Sequence, residues 1–284
     1  MSVAFIGGTG IYQMQGVRVL EELDVDTPYG STSDRIRRAG VGGREVFFLP
    51  RHGGGHRLLP SEIPARANIW ALKKLGVTRV IGVSAVGSLK EEIRPRDIVI
   101  PSQIIDRTRS RPSTFFGDGV VGHVSFADPF CARLSGLLHD CVRELGYRVH
   151  RGETYVCMEG PAFSTRAEST LYRSWGGGVI GMTALPEAKL AREAEMCYAV
   201  MATSTDYDCW KEEEESVSVD MIVQNIKANT EAAQAVLKLV IERMPDTAGC
   251  PCREAARDAI LTDPSRIPPE TRERLRPLYG RYWD

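Results

Sequence analysis

Apolar residues recur along this chain in short β-branched runs that alternate with stretches of helical periodicity. The most continuous run, residues 77–86, contains Val, Ile and small residues and predicts a strand buried on both faces. Helical periodicity over residues 63–75 and 129–145 ends in each case at a glycine, Gly76 or Gly146, where a C-terminal cap is expected. The same reasoning predicts strands at 3–6, 45–49, 97–105, 154–158, 179–182 and 198–203, and helices at 165–175, 185–194 and 217–244.

The order of these elements predicts the fold class. Strands that alternate with helices of about 10–15 residues favour an α/β fold whose mixed, largely parallel central sheet is flanked by helices. No shift in composition interrupts residues 1–244, which we assign to a single domain. Residues 245–284 are charged and punctuated by prolines, and we expect a peripheral tail with one short helix at 253–261.

Composition excludes several classes of protein. Apolar residues make up 43% and charged residues 26% of the 284 residues, which excludes wholesale disorder. The formal net charge of −1 provides no basic field for nucleic acid or an anionic membrane. No apolar run approaches the roughly 18 residues of a membrane span, and the apolar N-terminus is too short for a signal peptide. We therefore expect a cytoplasmic protein without nucleic-acid or membrane partners.

A glycine-rich loop, Gly7-Gly8-Thr9-Gly10, follows the first predicted strand. Glycines there allow backbone N–H groups to converge on an anion, and the threonine hydroxyl adds a donor. The loop lacks the Gly-Lys-Ser/Thr ending of a Walker A motif, and Gln13 stands where the dinucleotide fingerprint requires its third glycine. The loop alone is equally compatible with a phosphate site and with a structural turn.

Arg51 and His52 follow the strand predicted at 45–49, and strand ends in α/β sheets open onto the usual ligand crevice. The planar fork of an arginine suits a phosphate, although an isolated arginine is more often part of a surface ion pair. His52 and His56 have the i, i+4 spacing of a metal pair on a helix. The three glycines between them argue against a helix, so no metal site is predicted.

Two carboxylates, Asp206 and Asp208, come directly after the strand predicted at 198–203. Side chains two residues apart just beyond a strand would point the same way into a crevice. A carboxyl whose pKa is raised by burial could protonate a leaving group while the other accepts a bond from an amino group. The alternative is a pair of loop aspartates that cap the following helix, and the local sequence does not distinguish the two.

The seven cysteines are scattered over the chain, which is not the pattern of a secreted disulfide framework. Cys250-Pro251-Cys252 has C-x-C spacing rather than the C-x-x-C spacing of redox and zinc sites. A disulfide between its two cysteines would close a small, strained ring. Free thiols and a disulfide both stay open at this point.

Several longer motifs occur in order along the chain and together resemble one family. They are Gly7-Gly8-Thr9-Gly10, Arg51-His52-Gly53, residues 67–73 (Ala-Asn-Ile-Trp-Ala-Leu-Lys), Gly87-Ser88-Leu89, Met158-Glu159-Gly160-Pro161, Arg166-Ala167-Glu168, Met182-Thr183, Pro186-Glu187 and residues 205–211 (Thr-Asp-Tyr-Asp-Cys-Trp-Lys). In these segments the chain resembles the 5′-methylthioadenosine phosphorylase family of the trimeric purine nucleoside phosphorylase superfamily. The resemblance runs from residue 3 to about residue 240 and implies the nucleoside phosphorylase fold.

The resemblance implies a reaction and a set of site residues. The reaction is phosphorolysis of 5′-methylthioadenosine to adenine and 5-methylthioribose 1-phosphate, with inorganic phosphate as co-substrate and no metal or other cofactor. Asp206 and Asp208 would be catalytic and would read the base. Phosphate would be held by Thr9, Arg51, His52, Ser84, Ala85 and Thr183. The rest of the nucleoside would be bound by Phe163 and Met182, and its methylthio group by Val219, Ile222 and Val223.

The resemblance also implies a homotrimer or hexamer in which His123 reaches over the 5′ end of the nucleoside in a neighbouring subunit. Ser164 and Asp206 stand where 6-oxopurine relatives usually carry Glu and Asn, which favours adenine. Heat-adapted archaeal members have similar tails and can carry disulfides, so Cys250–Cys252 and Cys131–Cys197 are candidate pairs. Two other functions stay open: a broader purine nucleoside phosphorylase acting on adenosine or inosine, and a non-catalytic nucleoside-binding protein.

Overall fold

A single mixed sheet forms the centre of the protein. The protein is seen here as a computed structural model that describes residues 2–8, 10–11, 17–211, 219–245 and 249–283, with the backbone alone for 219–223. The strands of the described part are β1 (Ser2–Gly7), β2 (Arg18–Leu23), β3 (Ile36–Val41), β4 (Arg44–Pro50), β5 (Val77–Ser88), β6 (Ile98–Ile100), β7 (Gln103–Arg107), β8 (Val149–Arg151), β9 (Thr154–Met158), β10 (Gly177–Gly181) and β11 (Cys197–Asp206). The α-helices are α1 (Ala65–Lys74), α2 (Ala132–Glu144), α3 (Arg166–Ser174), α4 (Glu187–Glu193), α5 (Val219–Arg243) and α6 (Pro269–Tyr279).

Strand β5 organises the sheet. It pairs in parallel with β1 and β11 and antiparallel with β10, and this central place explains its continuous apolar run. Parallel pairings also join β1 to β4, β9 to β7 and β10, and β6 to β8, while β2–β3, β3–β4 and β6–β11 are antiparallel. The predicted α/β class with a mixed, largely parallel sheet is confirmed.

One predicted strand is divided in the structure. Residues 97–105 form β6 and β7 rather than a single strand, because Pro101 has no N–H group for the ladder and Ser102 turns away. The Ser102 N–H donates instead to the Glu153 carbonyl oxygen at 3.0 Å. The pattern also missed β2, β3 and β8, of which β2 is largely exposed and carries little apolar signal.

The helices cover both faces of the sheet. Helices α1, α4 and α6 pack on one face of the sheet and contribute to one apolar cluster. Helices α2 and α5 pack on the other face and contribute to a second cluster. The predicted glycine caps are confirmed, since Gly76 and Gly146 have φ values of +78° and +76° and directly follow the C-cap residues of α1 and α2. None of the helices in the described part of the chain is long and apolar enough to cross a bilayer.

The tail differs from its predicted form. A short helix was expected at 253–261, but the structure has a 3₁₀ helix at Pro251–Glu254 followed by turns, so the predicted bounds were wrong. The α-helix of the tail is α6, which the prolines concealed because Pro269 occupies its first position, where no N–H donor is needed. Leu275 and Tyr279 of α6 are fully buried in the cluster that contains α1, so this part of the tail packs on the sheet domain.

Of the two alternatives left open for the cysteines, the structure shows free thiols. All seven cysteines, which all lie among the described residues, are free thiols. The candidate pairs Cys250–Cys252 and Cys131–Cys197 are not bonded, although their four sulfur atoms lie within 4.8 Å of one another. A disulfide requires a sulfur–sulfur distance of about 2.05 Å. The Cys197 and Cys250 sulfurs, for example, are 3.4 Å apart.

Candidate active site

Several of the site residues predicted from sequence lie at the carboxyl edge of neighbouring parallel strands. At this edge β1 ends opposite β4, where the Arg51 N–H donates to the Gly7 carbonyl oxygen at 2.9 Å. On the next strands, Ser84 of β5 stands opposite Ala202 of β11, and Gly87 stands opposite Asp206. Because ligands of α/β sheets bind outside the carboxyl ends of the strands, this edge is the candidate active site.

Arg51 is buried at this edge rather than exposed in a surface ion pair. Its side chain is 3% exposed, and its Nε and Nη2 donate to the two carboxylate oxygens of Glu187 at 2.5 and 3.1 Å. Nη1 donates to the Val83 carbonyl oxygen at 2.8 Å and Nη2 to that of Ile6 at 2.9 Å. These bonds use four of the five guanidinium hydrogens, so one Nη1 hydrogen is left for a ligand.

Glu187 is the buried counter-ion of Arg51, and sequence reasoning did not assign it a role. It is the first residue of α4, and its carboxylate also accepts a 2.9 Å hydrogen bond from the Tyr198 hydroxyl. Burial alone would lower the pKa of Arg51, but the Glu187 carboxylate outweighs burial and the pKa is raised. The pair therefore fixes α4 to the ends of β1, β4 and β5 by a charged contact inside the protein.

His52 lies in a series of turns, as the glycines predicted, and not on a helix. Its Nδ1 lies 2.9 Å from the Leu58 carbonyl oxygen, which can only accept, so Nδ1 carries the hydrogen and Nε2 is free to face a ligand. The His56 ring stacks on His52 with the ring centroids 4.2 Å apart. Burial, with the neighbouring Arg51 and His56, lowers the pKa of His52 and favours its neutral form.

Three hydroxyl groups form a cluster beside Arg51. The Ser84 hydroxyl lies 2.7 Å from that of Thr183 and 3.1 Å from that of Tyr155, while the neighbouring Ala85 is exposed at the surface of the site. Burial raises the pKa of Tyr155 to about 12, so its hydroxyl is protonated. Sequence reasoning missed Tyr155, because a tyrosine within a predicted strand is indistinguishable from a core residue.

Gly181 leaves the space that Tyr155 occupies, and this predicts the effect of a substitution. A Cβ at Gly181 would lie 2.0 Å from the Tyr155 hydroxyl oxygen. We expect Gly181→Ala to lower the free energy of unfolding by about 1–3 kcal/mol, because Tyr155 must move away from Ser84. Equilibrium unfolding in urea measures the effect.

Gly136→Ala is the matched control for this prediction. Gly136 lies within α2, and a Cβ there would meet only the Arg151 Nη2 at 3.8 Å, an ordinary contact. Since alanine favours a helix over glycine, this variant should be as stable as the parent or more stable. Equal stability of the two variants would contradict the assigned place of Tyr155.

The two aspartates lie together at the end of β11. Asp206 accepts hydrogen bonds from the Thr205 hydroxyl at 2.6 Å and from the Asp208 N–H at 2.8 Å, which is a local turn contact and not the helix cap of the alternative interpretation. Asp208 caps no helix in the described structure; the 3₁₀ helix it opens has Tyr207 at its N-cap. Burial raises the pKa of the Asp208 carboxyl, and the nearby Asp206 raises it further.

Gly87 faces both carboxylates from the neighbouring strand. A Cβ there would lie 3.1 Å from the Asp206 Oδ1 and 3.4 Å from the Asp208 Cβ. The glycine therefore keeps open the space beside the aspartates, where a planar ligand edge would approach.

Two loops beside the aspartates are fixed by Arg111, which sequence reasoning also missed. Its buried guanidinium donates hydrogen bonds to the carbonyl oxygens of Met158, Glu159, Met182 and Leu185. Gly160 has a φ of +72°, and a Cβ there would lie 2.5 Å from the Met182 sulfur. The loop that carries Phe163 is thereby held against the loop that carries Met182 and Thr183.

Phe163 and His123 are both exposed in the single chain. Phe163 is 83% exposed, so it is not a core residue. The His123 N–H donates to the Ala259 carbonyl oxygen at 2.8 Å, which attaches its loop to the tail. Within the described residues, no hydrogen bond or ion pair joins the His123 ring to the aspartates or to Arg51. The structure therefore does not bring His123 into the site of its own chain.

The remaining predicted residues lie where side chains are not described. Thr9 falls outside the described residues, and Val219, Ile222 and Val223 lie in the first turns of α5, of which only the backbone is described. The position of α5 is fixed by two buried amides that sequence reasoning missed. Asn225 and Asn229 donate to the carbonyl oxygens of Thr205 and Ser204 at 3.0 and 2.9 Å.

Comparisons with known proteins agree with this geometry. The phosphorylase superfamily model matches residues 2–242. S-methyl-5′-thioadenosine phosphorylase of Geobacter sulfurreducens is 56% identical over 281 residues, which cover 99% of this chain and 98% of that protein. The chain belongs to the S-methyl-5′-thioadenosine phosphorylase family. Another member, from Thermosynechococcus vestitus, is 51% identical over 286 residues that cover 99% of this chain and 98% of the relative.

Solved structures of this family share the fold. A methylthioadenosine phosphorylase from an antarctic soil metagenomic library has a TM-score of 0.92 and 47% identity, covering 97% of this chain and 98% of that one. A mutant adenosine/methylthioadenosine phosphorylase of Schistosoma mansoni, solved in complex with methylthioadenosine, has a TM-score of 0.83 and 33% identity, covering 91% of this chain and 99% of that one. The family and the nucleoside phosphorylase fold predicted from the motifs are both confirmed.

Proposed function

We propose that this protein catalyses the phosphorolysis of 5′-methylthioadenosine to adenine and 5-methylthioribose 1-phosphate. The observation that carries the proposal is the Asp206–Asp208 pair on the same sheet edge as the buried Arg51 and the hydroxyls of Ser84 and Thr183. The two aspartates suit a purine base, and Arg51 with the two hydroxyls suits phosphate, as the reaction requires. The likeness to relatives that bear this activity in their names supports it.

The aspartates would act on the base. Breaking the bond between C1′ and the purine leaves negative charge on the base, and a proton at N7 stabilises that charge. Burial and the negative charge of the nearby Asp206 raise the pKa of Asp208, which suits a proton shared by the pair. The carboxylate that does not hold the proton would accept a hydrogen bond from the 6-amino group of adenine. A 6-oxopurine would instead place its carbonyl oxygen, also an acceptor, against that carboxylate.

Phosphate would lie below C1′ as the nucleophile. The hydroxyls of Ser84 and Thr183, the exposed backbone at Ala85 and the remaining Nη1 hydrogen of Arg51 supply donors, and we place Thr9 and His52 in the same group. The buried Arg51 contributes positive charge, although Glu187 neutralises much of it. Hydroxyl and backbone donors would therefore carry more of the phosphate binding than the motif alone implied.

The ribose and its 5′ substituent would complete the site. Met182 would meet the ribosyl hydroxyls, and the exposed Phe163 would cover the purine and ribose. Val219, Ile222 and Val223 would surround the methylthio group from α5. We further propose a homotrimer or hexamer in which His123 reaches a neighbouring site, since an exposed histidine on a loop held by the tail is free to contact another subunit.

Release of adenine from 5′-methylthioadenosine, with and without inorganic phosphate, tests the proposed function. We expect release to require phosphate and to be faster than with adenosine or inosine as substrate. Release without phosphate would make the protein a hydrolase and remove the roles given to Arg51 and Ser84. A preference for inosine would contradict the roles given to Asp206 and Asp208.

A further inference from the structure

Four of the seven cysteines converge at the opposite end of the sheet from the candidate active site. The sulfurs of Cys131, Cys197, Cys250 and Cys252 all lie within 4.8 Å of one another, and all four residues are at least 94% buried. Cys197 begins β11 and Asp206 ends it, so nine residue-to-residue steps of extended strand, roughly 30 Å, separate this cysteine cluster from the aspartates. The proposed reaction makes no use of the cluster.

The spacing of the sulfurs fits a shared metal ion. Sulfurs bound tetrahedrally to zinc at about 2.3 Å from the metal stand about 3.8 Å from each other. The Cys131 and Cys250 sulfurs are 3.7 Å apart, and those of Cys197 and Cys250 are 3.4 Å apart. Both distances are close to the tetrahedral value and well beyond the 2.05 Å, approximately, of a disulfide.

We propose that the cysteine cluster is a structural zinc site with four thiolate ligands. Four cysteine ligands occupy all four coordination positions of a tetrahedral zinc ion, so no position is open for water. Structural zinc sites have this arrangement, whereas catalytic sites keep one position open. Burial of all four residues keeps solvent from the ion. The site is independent of the proposed phosphorolysis.

The surroundings offset the charge of such a site. A divalent ion with four thiolates has a net charge of −2. Arg79 and Arg133 line a small cavity together with Cys131, Cys197 and Cys250, and Arg79 is itself buried. Cys131 is also the N-cap residue of α2, where the positive end of the helix favours a thiolate. The two arginines and the N-terminus of α2 therefore place positive charge next to the cluster, where it would offset the net charge of −2.

The ion would join the tail to the sheet. Cys250 and Cys252 lie at the start of the tail, Cys131 precedes α2 on one face, and Cys197 begins the central strand β11. The segment that follows Cys252 supplies the Ala259 carbonyl oxygen that holds the His123 loop. Zinc would thus stabilise the position of the tail without contacting any substrate.

Zinc content of the full-length protein tests this inference. We would purify the protein under reducing conditions without chelators and measure metal by mass spectrometry, expecting about one zinc ion per chain. Cys250→Ser and Cys252→Ser should each lose most of the zinc and unfold at a lower temperature. Cys141→Ser is the matched control, because Cys141 is fully buried but lies outside the cluster, and its zinc content should equal that of the parent.

Reconstitution with cobalt keeps the test valid if the serine variants fail to fold. After removal of zinc with a mercurial reagent, Co²⁺ added to the parent protein should give the intense visible and near-ultraviolet bands of tetrahedral thiolate coordination, and Zn²⁺ should abolish them. A parent protein that lacks zinc and gives no such bands would overturn the inference. Zinc retained by both serine variants would also overturn it. A thiol count that is four lower than expected, because the cluster forms two disulfides under these reducing conditions, would do the same.

Discussion

Glu187→Ala is expected to lower the free energy of unfolding by about 3–5 kcal/mol. The substitution leaves the Arg51 guanidinium buried without its carboxylate, since both side chains are at most 3% exposed. It also removes the acceptor of the Tyr198 hydroxyl. The cost arises from a stranded charge in a region of low dielectric constant, so it should far exceed the loss of one hydrogen bond. Equilibrium unfolding in urea measures it.

Glu254→Ala is the control for this prediction. Glu254 also pairs with an arginine, Arg257, but both side chains are more than half exposed. Solvent screens such a pair, and its loss should cost less than about 1 kcal/mol. The double variant Arg51→Met/Glu187→Leu should recover part of the stability, because it removes both charges together. A Glu187→Ala variant that is no less stable than Glu254→Ala would contradict the assignment.

Local signals in the sequence predicted most of the sheet. The run at 77–86 indicated a central strand because burial on both faces permits only apolar residues, and Gly76 and Gly146 marked helix ends because a left-handed residue is needed there. Prolines were harder to interpret. Pro101 divides a predicted strand, whereas Pro269 begins a helix, and the same residue type has opposite effects at the two positions.

The candidate site was predictable only for residues that stand next to a strand end or within a motif. Asp206, Asp208, Arg51 and Ser84 meet that condition, and the structure brings them to one edge of the sheet. Glu187 lies 136 positions from Arg51 along the chain, and Tyr155 lies 71 positions from Ser84. No local pattern encodes such pairings, because they depend on how β4, β9 and α4 are arranged in three dimensions.

The cysteine cluster illustrates the same limit. Cys250 and Cys252 alone have the wrong spacing for a familiar zinc motif, and a C-x-C pair suggested a disulfide or free thiols. The fold adds Cys131 from the start of α2 and Cys197 from the start of β11. Four ligands from three separate segments become recognisable only when their sulfurs are seen together.

Asp208→Asn is expected to lower kcat/KM for 5′-methylthioadenosine by about 100-fold or more. If Asp206 and Asp208 share the proton that stabilises the departing adenine, an amide in place of one carboxylate cannot hold that proton. The amide would also present a donor where the 6-amino group needs an acceptor. Steady-state rates with 5′-methylthioadenosine and inosine, measured at saturating phosphate, separate the loss of catalysis from a change of base preference.

A second variant distinguishes base reading from damage to the site. Asp206→Asn combined with Ser164→Glu reproduces the residues usual in 6-oxopurine relatives, and we expect the ratio of inosine to 5′-methylthioadenosine turnover to rise at least tenfold, about 1.4 kcal/mol of discrimination. Damage alone would lower both rates together and leave that ratio unchanged. Asp258→Asn, at an exposed aspartate of the tail, should change neither rate. Unchanged adenine-nucleoside rates in either active-site variant would show that the aspartates do not bind the base, and the turn contact between Asp206 and Asp208 would then be their whole role.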